Sequence, residues 1–257
     1  MIAGQPRHVR GWRPDRPDHR DLAMREPARA VQLPAAADLT HECPPIRDQG
    51  GLGSCVANSS LEAVGFLYTR AGLADPKLSR LFTYYYTRIS EGTLPNEDSG
   101  CEIRDAMKGL ARMGSCRETT WPYLDDGSFY AVEPTEAARA EALTHQVLFY
   151  YRCPSLRTVK ASIAQGFPVV GGFSCPENLQ SDACARTGIV KYPLPSEAFV
   201  GGHAVLFVGY DDTKSLLKAQ NSWGAAWGDG GYLYLPYRFA AEGLADDFWT
   251  VRRAEEP

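Results

Sequence analysis

The chain has no strong charge of either sign, no long apolar run and no internal repeat. Its 27 Lys and Arg face 31 Asp and Glu, for a formal net charge of −4. That balance offers no basic surface for a nucleic-acid backbone, so no nucleic-acid partner is expected. No stretch approaches the roughly 18 consecutive apolar residues of a membrane-spanning helix, so no membrane insertion is expected. The opening residues, Met1-Ile2-Ala3-Gly4-Gln5-Pro6, lack the apolar core of a secretory signal. The absence of a repeat argues against a solenoid or propeller.

An even number of cysteines is missing too. With seven present, one free reactive thiol leaves six that could pair in up to three disulfides. Reduced, buried thiols packing as small hydrophobes fit equally well. Cys175 and Cys184 flank a polar stretch, Pro176 to Ala183, with little to pack, and are the expected disulfide if one forms.

What is present suits a substantial core: 44% of the 257 residues are hydrophobic and 23% charged. The length allows one large domain or two lobes sharing a cleft. Residues 1–32 stand apart as an arm. From Pro6 to Arg29 they hold seven arginines, four acids and four prolines. Prolines bias such a segment towards extended backbone. Trp12 is its one large aromatic, an anchor by which the arm could pack on the body and restrict a cleft.

The remainder, 33–257, divides by pattern. Gly50-Gly51-Leu52-Gly53 leads through Ser54, a suitable N-cap, into Cys55 and an amphipathic run with Ala57, Leu61, Val64, Leu67 and Tyr68 on one face. Further helices are expected over 102–113, 134–146 and 155–165. After Gly166, short β-rich segments follow at 168–173, 203–210, 215–220 and 231–235. The pattern predicts an α+β protein with two unlike lobes, the left mainly 50–135 and the right mainly 136–257 plus a strand at 33–45.

Cys55 would lie in the first turn of its helix, where unpaired N–H groups and the macrodipole favour a thiolate. Its backbone N–H and the side-chain amide of Gln49 are candidate donors to an oxyanion. Of five histidines, His203 alone opens an apolar strand, and Gly201-Gly202 before it would let a substrate backbone approach the imidazole. Asn221 ends another strand and could orient that ring, with Trp223 shielding the pair from water. An inert buried cysteine and a structural histidine remain open on these residues alone.

Three segments in register resolve more. R-D-Q-G-G-L-G-S-C resembles the nucleophile motif of papain-like cysteine peptidases, G-G-H-A-V their histidine motif, and Q-N-S-W-G-A-A-W-G-D-G-G-Y their asparagine motif. The resemblance spans about Leu33 to Trp249 and points to a divergent bacterial or viral branch. It implies a papain-like two-lobe fold, with a helical left lobe bearing Cys55 and a barrel-like right lobe bearing His203 and Asn221. A polypeptide substrate would bind in the cleft between them. Ser99 and Gly100 would pair with the substrate backbone, Gly202 would border it, and Trp227 would face the leaving group. The implied function is a cysteine endopeptidase working through a thioester, with neither cofactor nor metal. An acyl transferase or transpeptidase would use the same residues, and a binding module would keep the cleft without catalysis. Two positions depart from the common motif: Leu52 replaces a disulfide-forming cysteine, and Val56 an aromatic residue. The 32 residues ahead of the peptidase-like part fall short of the usual inhibitory pro-region, so the arm is expected to act, if at all, as a short pro-segment.

Overall fold

The computed structural model of the protein describes residues 9, 11–28 and 31–255. Helix α1 (Cys55–Arg70) is its axis. The apolar spacing predicts a helix with one buried face, yet every residue from Cys55 to Phe66 is buried. The small residues on the predicted outer side, Ala63 and Gly65 among them, let other elements close over it. The helix lies between α2 (Arg80–Ser90) and α3 (Ile103–Arg112) on one side and the sheet on the other. A helix enclosed this way is stabilised by burial all round rather than by amphipathicity.

Three further helices fill the gaps. Helix α4 (Glu136–Ala142) is shorter than the 134–146 expected, because the β-prone run after it is taken into the sheet as β2 (Val147–Arg152). Helix α5 (Leu156–Ala164) opens on a reciprocal cap between Ser155 and Thr158. Helix α6 (Asp182–Thr187) is a single capped turn.

Among the described residues, the second lobe is built on one antiparallel sheet of seven strands. Besides β2 it comprises β1 (Ala36–Asp38), β3 (Val169–Pro176), β4 (Phe199–Asp211), β5 (Leu216–Gln220), β6 (Tyr232–Pro236) and β7 (Ala245–Ala254). The order is β2-β7-β3-β4-β5-β6, with β1 also paired to the far end of β4. The sheet is therefore open, not closed into a barrel, since β2 and β6 stand at opposite edges. The short α7 (Tyr237–Ala241) links β6 to β7. Strand β3 is buried on both faces, and β4 carries His203 opposite Phe173.

Cys175 and Cys184 do not form the expected disulfide; all seven cysteines are free thiols. The segment between them is not the unpacked loop its polarity suggests. Leu179 is buried, and Asn178 donates its side-chain amide to Glu197 at 2.7 Å and to the Lys191 carbonyl at 3.1 Å. Hydrogen bonds hold this turn without a crosslink.

Candidate active site

The turn before α1 is built from glycine. Gly50 has φ +60°, a conformation that L side chains rarely adopt. Ser54 occupies the cap position, but its hydroxyl bonds to the Tyr123 hydroxyl at 2.7 Å instead of capping the helix. Cys55 follows as the first helical residue, fully buried.

Across the interface, the Ala204 N–H on β4 donates to Cys55 Sγ at 3.4 Å. This contact brings the residue beside His203 onto the thiol. His203 is itself fully buried, with Nε2 2.7 Å from Asn221 Oδ1. That same oxygen accepts the Ser222 N–H at 2.9 Å. A backbone N–H can only donate, so this atom is the amide oxygen, and His203 Nε2 must carry the proton between them. The Trp223 ring stacks on the imidazole at 4.6 Å between centroids, and Trp227 meets Trp223 edge-on at 4.9 Å.

Gln49 is pinned on both sides of its amide. Its Oε1 accepts the Ser222 hydroxyl at 2.6 Å, and its Nε2 donates to the Leu52 carbonyl at 2.8 Å. One N–H is thus engaged inside the glycine turn. Ser222, the neighbour of Asn221, links Gln49 to the histidine side, a role that sequence reading passed over.

Ser99 is partly buried and donates its hydroxyl to the Gly100 carbonyl. Gly100 does not offer its N–H to the cleft, since that group donates to the Tyr84 hydroxyl at 3.0 Å. The residue that pairs with an adjacent chain is the next one. Cys101 N–H donates to the Gly11 carbonyl at 3.0 Å, and its carbonyl accepts Arg13 N–H at 3.1 Å. Gly202 completes the grip, its carbonyl accepting N–H groups of Gly11 and Trp12 at 3.2 Å each.

The arm therefore runs between the two lobes and over the thiol. The Trp12 ring lies where Gly172 and Gly202 lack side chains: a Cβ on Gly172 would come within 2.1 Å of it. Beyond Trp12, Arg13 pairs with Glu91, and Asp15 accepts the Arg104 N–H at 3.0 Å and the Trp249 indole N–H at 2.8 Å. Arg104 also pairs with Asp21 at 2.6 Å. Leu22 and Met24 then bond to the backbone of Arg152 on β2.

Burial decides the state of the thiol. N–H groups of Ala204, Val56 and Cys55 itself all favour a thiolate, yet burial outweighs them and pushes Cys55 up to about 12. The helix N-terminus supplies the expected donors, but they do not offset burial.

A helical lobe and a sheet lobe that bring a helix-borne cysteine beside a sheet-borne His–Asn pair are the architecture of thiol hydrolases. The sequence profile described as papain family cysteine protease matches residues 33–247. An uncharacterised peptidase C1-like protein of Acanthamoeba polyphaga mimivirus is 36% identical over 82% of this chain and 70% of its own length. A cathepsin B-like protein of Giardia intestinalis is 29% identical over 79% of this chain and 69% of its own. Xylellain, a cysteine protease from Xylella fastidiosa, superposes with a TM-score of 0.87 at 34% identity, covering 98% of this chain and 99% of that one. Digestive procathepsin L 3 of Tenebrio molitor, at 22% identity and a TM-score of 0.68 over 91% of this chain and 75% of its own, shares the fold. The chain belongs to the papain family of cysteine proteases and is a cysteine peptidase.

Proposed function

We propose that the protein is an endopeptidase with Cys55 as nucleophile and His203 as its acid and base, held latent by its own arm. The observation that carries this reading is the close approach of Cys55 Sγ to Ala204 beside a His203 whose Nε2–H is committed to Asn221. That commitment leaves Nδ1 as the basic nitrogen.

When the arm lifts, water and His203 replace its cover on the thiol, and the Cys55 proton passes to the imidazole. The thiolate attacks the scissile carbonyl, and the resulting oxyanion is stabilised by Cys55 N–H and the second N–H of Gln49. Collapse expels the amine with a proton from His203 and leaves a thioester. Water, deprotonated by His203, then releases the acid. Asn221 orients the ring, Trp223 keeps water from their hydrogen bond, and Cys101 with Gly202 grips the substrate backbone. Residues 1–32 form the arm and 33–257 the peptidase domain.

The test pairs irreversible labelling by a peptidyl epoxide with a peptide-library digest, on the full chain and on its Trp12→Ala variant. Labelling at Cys55, cleavage products, and loss of both in Cys55→Ala are expected. Turnover that survives Cys55→Ala overturns the assignment. Aminolysis products without net cleavage would instead indicate a transferase.

A further inference from the structure

Leu52 stands where the common motif has a crosslinking cysteine, so no disulfide at that position braces the turn before Cys55. The turn is held in another way. Gly53 N–H lies 3.0 and 3.1 Å from the two carboxylate oxygens of Asp98. The Tyr84 hydroxyl donates to one of those oxygens and accepts Gly100 N–H at 3.0 Å. Tyr84 is fully buried on α2. Burial, then the charge of Asp98, hold its phenol well above its ordinary pKa, so the hydroxyl remains a donor.

We propose that Asp98 is a positioning residue for the peptidase reaction, its carboxylate tying the turn that presents Cys55 to the strip that grips the substrate. One end of the link is Gly53, whose carbonyl faces the same point above Cys55 Sγ that Gly11 now occupies. The other end is Gly100, adjacent to the Cys101 backbone that pairs with a bound chain. Nucleophile and substrate strip come from segments more than 40 residues apart in sequence, and this link fixes their separation. A direct electrostatic role is opposed by sign, because a carboxylate near Cys55 disfavours the thiolate. Geometry is what the residue contributes, and misplacement on the order of 1 Å costs a catalytic site about a hundredfold.

The inference rests on Cys55 being the nucleophile, and the experiment separates the two. Because Cys101 also holds the arm, variants are compared on the full chain carrying Trp12→Ala, with Cys55→Ala as the control. Asp98→Ala is expected to lower kcat/KM by about tenfold or more. Asp98→Asn, with its Oδ1 in place of the carboxylate oxygen that receives both Gly53 N–H and the Tyr84 hydroxyl, keeps an acceptor for both, so it should stay within about threefold of the parent. Its activity should also persist to lower pH, because a negative charge has gone from beside the thiol. Tyr84→Phe frees only the strip and should raise KM while kcat changes less than about twofold. Asp98→Ala within about twofold of the parent, or Asp98→Asn as damaged as Asp98→Ala at equal melting temperature, overturns the proposal. If Asp98→Ala does not fold, an unchanged KM in Tyr84→Phe overturns it. Activity in the Cys55→Ala control would instead sink the assignment of the nucleophile.

Discussion

Gly11 lies so close above Cys55 that a Cβ built on it would stand 2.5 Å from Sγ and 2.7 Å from the Gly53 carbonyl oxygen. Carbon–carbon packing distances are about 3.5–4.0 Å, so only glycine passes here without displacing the turn. Gly11→Val is expected to lift the arm and speed alkylation of Cys55 by iodoacetamide by about tenfold or more, the equivalent of 1.4 kcal/mol of lost docking. A rate equal to that of the wild type would show that the arm is no barrier.

Asp15 is expected to make docking depend on pH. Burial, then the charge of Asp247, raise its pKa from 3.8 to about 7 in the docked arm. Arg104 and the Trp249 indole oppose this from α3 and β7, and Arg152 faces Asp247 from β2. In a released arm Asp15 is solvated and returns to its ordinary range. A raised docked value means the docked state binds the proton more tightly. Docking is therefore fully supported below pH 3.8 and weakens as pH rises towards 7. Asp15→Asn mimics the protonated form at every pH. The ratio of wild-type to Asp15→Asn labelling rates at Cys55 should grow across that window. A flat ratio would refute this linkage.

Asn221→Ala should lower kcat by about tenfold to a hundredfold with little change in KM, less than the ~10²–10⁴ typical of losing a general base outright. Asn221→Asp keeps an acceptor for His203 Nε2 and should retain more activity than alanine. Equal losses in the two variants would mean that the 2.7 Å bond does not set the orientation of the ring.

The elements that carry the site were the most legible in the sequence, because each declares itself locally. The glycine turn, the helix from Cys55 and the strand from His203 combine punctuation with a clear period. Helix α2 went unseen because R-L-F-T-Y-Y-Y-T-R-I-S is rich in residues that favour strands; packing against α1 and α3 overrides that preference. Strand β7 was hidden by the charges of Asp246, Asp247, Arg252 and Arg253, and by Asp247, whose φ of 54° interrupts the alternation. Nothing in the sequence reveals that Tyr84 claims the Gly100 N–H and that the arm pairs with Cys101 instead. The path of the arm was illegible beyond its composition, because the contacts that seat it on the body are made with residues distant in sequence.

Strand β7 enters the sheet between β2 and β3, although it is the last strand along the chain. Trp249 and Asp247, which receive Asp15, belong to it. During translation the arm emerges before the surface it must dock against. Until β7 inserts, β2 and β3 lack the neighbour they share and expose unpaired edges, the condition in which chains associate wrongly. The contacts that seat the arm on β7 thus form only once the sheet is complete. A ribosome-bound chain halted short of β7 would have neither a finished sheet nor a seated arm.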